Sequence, residues 1–255
     1  MIRRFIRFHL PNDPAAVGRA ELEEDGSLRP IEGALAHHLD EVSLLPPATP
    51  TKIIGVGLNY HAHAREMGKA LPNEPLLFLM PSTAVIASGA SIVRPRGFER
   101  VDYEGELAMV FGRRARNIRA EDASDVIAGY CCLNDVTVRD LQGRDVQYTR
   151  AKGFDTFAPL GPCLATGLPN PQALEITTRV DGKVRQRGNT ADMIFDLGTI
   201  VATVTRVMTM LPGDVITTGT PPGVGQARVG ATIEVEIEGI GILRNVVGEE
   251  APPAL

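Results

Sequence analysis

Glu104 and Glu106 stand one residue apart in the run Val101-Asp102-Tyr103-Glu104-Gly105-Glu106-Leu107-Ala108-Met109-Val110. The apolar continuation into Val110 and Phe111 predicts one strand, whose side-chain period of two puts both carboxylates on the same face. Two like charges held that close repel each other, and a cation between them is the direct remedy. A third carboxylate, Asp135, follows the apolar stretch Tyr130-Cys131-Cys132-Leu133. Three carboxylates with no Cys or His among them describe a hard-cation site, so Mg²⁺ or Mn²⁺ is the expected metal, with positions left for water and substrate. Spacing alone leaves a second reading open, in which Glu104 and Glu106 line a solvated strand face and Asp135 caps a helix.

His63 and Glu66 are three residues apart, so on a helix they share a face, and a carboxylate beside an imidazole can orient it as a base toward water. The alternative is an ordinary exposed pair. His61 is a weaker candidate base because it lacks a glutamate at that spacing.

The elements that must position these groups can be outlined from patterning. Lys52 to Leu58 reads as a buried strand, and Tyr60 to Gly68 as a short helix ended by the glycine. Further helices are expected over about Ala120 to Ala128 and Leu197 to Met210, the latter stopped by Pro212 and Gly213. Alternating segments from Leu174 to Val180 and Thr232 to Leu243 turn at Asp181-Gly182 and Glu238-Gly239. Many short strands and few helices predict a β-rich α+β fold, a curled mixed sheet or sandwich.

Residues 1 to about 44 look like a small unit of short strands with a turn at Asp25-Gly26, and Pro46, Pro47 and Pro50 mark a linker. The expected division is therefore 1–48, a small N-terminal β unit with its linker, and 49–255, the main domain. His37 and His38 read as ordinary polar residues.

Composition narrows the partners. A chain of 255 residues with 44% hydrophobic content and net charge -5 is globular, and its charge argues against a nucleic-acid surface. Arg113, Arg114 and Arg116 form too small a basic run to change that. No stretch approaches the ~20 apolar residues of a membrane span and the start alternates unlike a signal peptide, so a cytoplasmic protein without a membrane partner is expected. Cys131, Cys132 and Cys163 read as buried reduced thiols, with no zinc spacing. Gly55 and Gly57 do not make a dinucleotide site, because Tyr60 stands where a third glycine is needed.

From about residue 51 to 248 the chain resembles the fumarylacetoacetate hydrolase (FAH) family. The motifs, in the family's order, are Gly57-Leu58-Asn59-Tyr60 leading to His63 and Glu66, then Asp102-Tyr103-Glu104-Gly105-Glu106-Leu107 and Ala128-Gly129-Tyr130. They continue with Asn134-Asp135-Val136-Thr137-Val138-Arg139-Asp140, Lys152-Gly153-Phe154-Asp155 and Thr218-Gly219-Thr220-Pro221. The resemblance implies a mixed β-roll behind a small N-terminal β unit, usually a homodimer, with Glu104, Glu106 and Asp135 in the family's metal-ligand positions. It places Arg139, Gln142, Thr220 and Tyr60 among the substrate contacts and Lys152 beside the reacting oxygens, and puts His63 and Glu66 on a segment that folds over the substrate.

Family substrates are 2-oxo or 2-hydroxy-dienoic acids with a further carbonyl, and a cation that polarises the keto oxygen stabilises the enolate their chemistry requires. Lys152 would add positive charge there, and Arg139 would fork onto a carboxylate or clamp Asp135. The retained dyad favours hydrolysis of a carbon-carbon bond in aromatic-acid catabolism. The stretch Arg185 to Phe195, with Gln186 and Asn189, is similar to the hydroxyheptadienedioate isomerase and decarboxylase branch, which keeps an isomerase or decarboxylase as the alternative. A non-catalytic metal-binding member is a third reading. Loops at Asn73 to Pro75 and Gly143 to Thr149 are expected to hold the substrate tail, with Arg144 as a candidate partner for a tail carboxylate.

Overall fold

The computed structural model describes residues 1–10, 13–32 and 37–251, apart from the side chain of Pro14. A large sheet forms the centre. Its spatial order runs from Arg3–Leu10 through Ala158–Thr166, Ile127–Asn134, Gly105–Phe111, Val215–Thr217 and Ile53–Gly57 to Leu76–Met80. Most neighbours are antiparallel, but Val215–Thr217 and Ile53–Gly57 pair in parallel with Val215 opposite Ile53.

The central strands Gly105–Phe111, Val215–Thr217 and Ile53–Gly57 are near-continuously buried because both sheet faces are covered there. Leu107, Met109, Phe111, Ile54, Val56, Cys132 and Cys163 point into one core, and Ala108, Val110, Ile53, Cys131, Leu133 and Leu160 into another. The first core is closed by the Leu197–Val207 helix through Ile200, Val201 and Val204, and by Ile176, Val235 and Leu243 of a second sheet. That second sheet contains Lys183–Asn189, Glu175–Val180, Thr232–Ile237, Gly241–Glu249 and Ser91–Arg94 in this order. Asp181 and Gly182 make its first hairpin turn, both with positive φ, at 51° and 74°. The three cysteines are buried free thiols.

The N-terminal strands extend the large sheet instead of standing apart from it. Arg3 pairs with Thr166 and Phe5 with Leu164, and Ile6 and Phe8 join the first core. No helix among the described residues is long and apolar enough to cross a membrane.

Helix boundaries differ from the pattern-based expectation. The first helix, α1, covers only His61–Glu66, and Gly68 follows it at φ 62°. The segment from Ala120 is a 3-10 helix ending at Val126, because Ile127 and Ala128 are already drawn into the sheet. The late helix starts at Leu197, where Asp196 Oδ1 accepts from Thr199 N at 2.6 Å, and ends at Val207, three residues short of Met210.

Candidate active site

The run carrying the two glutamates is two strands, not one. Val101–Tyr103 pairs with Thr137–Val138 and Gly225–Gln226, whereas Gly105–Phe111 belongs to the large sheet, so the chain changes sheets at Glu104. Gly105 makes the crossing possible: a Cβ there would lie 2.2 Å from Thr178 Oγ1 and 3.2 Å from Val235 Cγ1. Gln186 holds it, accepting from Gly105 N at 2.9 Å while donating to Thr220 Oγ1 and Pro221 O, both at 2.8 Å.

Across the break the carboxylates still converge. Glu104, Glu106 and Asp135 are buried, and one oxygen from each lies within 4.8 Å of the others. Asp135 does not cap a helix. It enters through the backbone bond from its N to Glu104 O at 2.8 Å, and Asn134 Oδ1 accepts from Glu104 N at 2.9 Å. Glu106 accepts from Gly219 N at 2.8 Å and from the Thr217 hydroxyl.

Two cations, buried Lys152 and partly buried Arg139, sit against the cluster. Lys152, at the end of the Thr149–Lys152 helix, donates to Glu104 Oε2 at 2.9 Å and to Asp135 Oδ2. Arg139 donates to Asp102 Oδ2 at 2.8 Å, to Gln142 Oε1 at 2.6 Å and to Glu104. Arg139 therefore braces Glu104 through a guanidinium fixed by Asp102, and its hydrogen bonds do not reach Asp135.

The environment splits the three acids. Burial opposes ionisation of Glu104, but Lys152 and Arg139 outweigh it and hold its pKa down at about 2. Burial pushes Asp135 up to about 6, Lys152 offsetting only part of the effect. Burial, reinforced by the charge of Asp135, drives Glu106 well above the ordinary carboxylate range. Asp135 Oδ1 is buried without a hydrogen-bond partner. An all-oxygen set of three convergent carboxylates, one with an orphaned oxygen, fits a hard divalent cation.

His63 of the dyad faces the same cavity. His63 Nδ1 lies 2.9 Å from Glu66 Oε2, and Glu66 Oε1 accepts from Gly223 N at 3.0 Å, so the glutamate ties α1 to the loop after Thr220. A carboxylate accepting from Nδ1–H fixes the tautomer in which Nε2 keeps its free lone pair. His63 is 6% exposed and lines the cavity with Glu104, Glu106, Asp135, Lys152, Arg139, Gln142 and Thr220. Phe78 and Tyr148 form an apolar wall, their rings edge to face at 5.6 Å, and Lys152 Nζ is 5.0 Å from the Phe78 centroid. Gly55 gives that ring its place, since a Cβ there would fall 2.1 Å from Phe78 Cζ.

Tyr60 is not brought to the cavity. It precedes α1 in extended conformation, bridges to Met193, and is 1% exposed in the first core with its hydroxyl unpartnered, so the expected substrate contact is corrected to a packing role. Arg144 is exposed and does not line the cavity either, although Tyr148 of the same loop does. Asp102, Asn134, Thr217 and Gln186 were not singled out as site residues. Asp102 could have been found, since Asp102, Glu104 and Glu106 repeat the same two-residue interval. Gln186 arrives from another sheet, and no spacing announces it.

The family model for the fumarylacetoacetate (FAA) hydrolase C-terminal region matches residues 52–248. The fold is similar to a crystal structure of 5-carboxymethyl-2-hydroxymuconate delta-isomerase from Mycobacterium smegmatis, with TM-score 0.90 and 42% identity over 98% of this chain and 100% of that one. It is similar to 2-hydroxyhepta-2,4-diene-1,7-dioate isomerase from Mycobacterium marinum, with TM-score 0.89 and 38% identity over 98% and 100%. It also resembles fumarylacetoacetate hydrolase from the psychrophilic Exiguobacterium antarcticum, with TM-score 0.86 and 34% identity over 97% and 100%. With a family match over most of the chain and these neighbours spanning nearly all of it, the protein belongs to the fumarylacetoacetate hydrolase family of enzymes.

Proposed function

We propose that this enzyme hydrolyses a carbon-carbon bond in acylpyruvate-type 2-oxo acids, in the breakdown of aromatic acids, with Mg²⁺ or Mn²⁺ as its cofactor. The reading rests on one observation: the acid triad, Lys152 and His63 all open onto a single cavity, with Glu66 behind His63 at its Nδ1. Glu104, Glu106 and Asp135 would hold the cation, which supplies positive charge to a 2-oxo carboxylate bound beside it.

His63 Nε2 takes a proton from water, and Glu66 holds the tautomer that leaves this nitrogen free. The hydroxide adds to the distal carbonyl, the bond to the neighbouring carbon breaks, and its electron pair passes to the 2-oxo group as an enolate that picks up a proton to give pyruvate. Lys152 supplies a buried positive charge to the enolate oxygen, and Arg139, Gln142 and Thr220 line the space for the substrate's carboxylate and keto oxygens. Thr220 spends its one proton on Gly105 O and accepts from Gln186, so as folded it lines this space without donating to the substrate.

A second reading is isomerisation or decarboxylation of hydroxymuconate-type or oxaloacetate-type acids, and the names of two structural neighbours support its isomerase form. The purified protein should be incubated with acetylpyruvate, fumarylpyruvate, oxaloacetate and hydroxymuconate-type dienes, with Mg²⁺, Mn²⁺ or EDTA, and the enol absorbance followed. Metal-dependent release of pyruvate from acylpyruvates supports hydrolysis. Conversion of the dienes or oxaloacetate without acylpyruvate cleavage supports the second reading, and no metal-dependent change anywhere counts against both.

A further inference from the structure

The cavity has a charged floor and an open rim. Glu104, Glu106, Asp135 and Lys152 are each at most 5% exposed, whereas Met67 and Leu76 are 39% and 45% exposed. Lys152 and Arg139 are committed to the floor's carboxylates. Lys69 is the remaining lysine or arginine of the lining, is exposed, and has no ion-pair partner among the described residues. It is anchored to the helix that carries the dyad, since Lys69 N donates to Ala64 O at 3.0 Å and Gly68 N to Arg65 O at 3.1 Å.

We propose that Lys69 is a specificity residue that receives an anionic group at the far end of the substrate, selecting 2-oxo acids with a second carboxylate over those with an apolar tail. This rests on the keto-acid reading of the same site. The floor meets the head of such a molecule, Leu76, Phe78 and Tyr148 meet its carbon chain, and Lys69 meets the tail. An ammonium at an exposed rim contributes modestly, so a preference of about fivefold is expected. Because Lys69 lies just past the helix that carries His63 and its N donates back to Ala64 O of that helix, tail binding also helps hold the base in place, the use of remote binding energy for orientation.

The test compares two ligands of equal chain length, 2-oxoadipate and 2-oxohexanoate, titrated into the Mn²⁺-loaded protein by calorimetry. The wild type binds 2-oxoadipate about fivefold more tightly, Lys69→Arg keeps the preference, Lys69→Met equalises the two ligands and Lys69→Glu reverses their order. Equal binding by the wild type, or a preference that survives in Lys69→Met, overturns the proposal. Acylpyruvate cleavage by the same preparation separates the two readings. Tail preference without cleavage removes the hydrolase reading and keeps the role of Lys69, and cleavage without tail preference does the reverse.

Discussion

At the scale of single residues, the site divides labour between groups that hold charge and groups that move a proton. Glu106 belongs to the first kind, held by Gly219 N and the Thr217 hydroxyl. His63 belongs to the second, with one nitrogen on Glu66. Replacing His63 with Ala is expected to leave Mn²⁺ affinity intact while acylpyruvate hydrolysis falls by about 10²–10⁴, the usual worth of a general base. Parallel calorimetry and steady-state kinetics check this, and undiminished hydrolysis removes His63 as the base. The residue scale was also where the sequence was most legible. Carboxylates at 104, 106 and 135 and the pair at 63 and 66 were all marked by spacing or motif, and the structure brings the three carboxylates and His63 to one cavity, with Glu66 bonded to His63. Tyr60 was misplaced because its motif position says nothing about which way an extended residue ahead of a helix points.

At the scale of elements, the site depends on where strands break and what ties them. The break at Glu104 was hidden, because the apolar continuation into Val110 and Phe111 makes the run from Val101 read as one strand, and the switch between sheets is made by long-range partners such as Gln186 and Val235. Gly105→Ala forces a Cβ against Thr178 and Val235, so it is expected to lower thermal stability by at least about 1–3 kcal/mol and weaken Mn²⁺ binding with it. Thermal melts with and without Mn²⁺ test this, and a variant as stable as wild type shows that the sheets separate freely there. A second tie lies at Asp214, which joins the Val215–Thr217 strand to the end of the proline-rich segment. Its Oδ1 accepts from Thr51 N at 2.9 Å and Thr51 Oγ1 at 2.7 Å, its Oδ2 from Leu211 N at 2.8 Å, and it pairs with Lys52. Burial alone would raise its pKa, but Lys52, Thr51 and Leu211 outweigh that and hold it below the ordinary carboxylate value. A group depressed in the folded state contributes stability above its unfolded pKa and loses it as pH falls through the folded value. Asp214→Ala should therefore cost about 3 kcal/mol at pH 7. In denaturant melts the gap from wild type should narrow below about pH 4. A pH-independent gap contradicts this account.

At the scale of the whole molecule, the fold class was readable because strand patterns outnumber helical ones, but the way the parts join was not. Short strands in residues 1 to about 44 were visible as a separate group, while their continuation into the large sheet depends on pairing with Ala158–Thr166, more than a hundred residues away. Deleting residues 1–48 would bare that strand's edge and remove Ile6 and Phe8 from the first core, so aggregation or a much lower melting temperature is expected. A truncated chain that stays monodisperse and melts like the full one would show that the N-terminal strands are dispensable. The central claim is that a divalent cation on Glu104, Glu106 and Asp135 is required for turnover. Its most direct test is to titrate Mn²⁺ into metal-stripped wild type and Glu106→Ala by calorimetry while assaying acylpyruvate cleavage at each point. The account predicts one Mn²⁺ per wild-type chain, activity rising in step with occupancy, and neither binding nor activity in Glu106→Ala. Cleavage by the stripped protein, or equal Mn²⁺ binding by the variant, would contradict it.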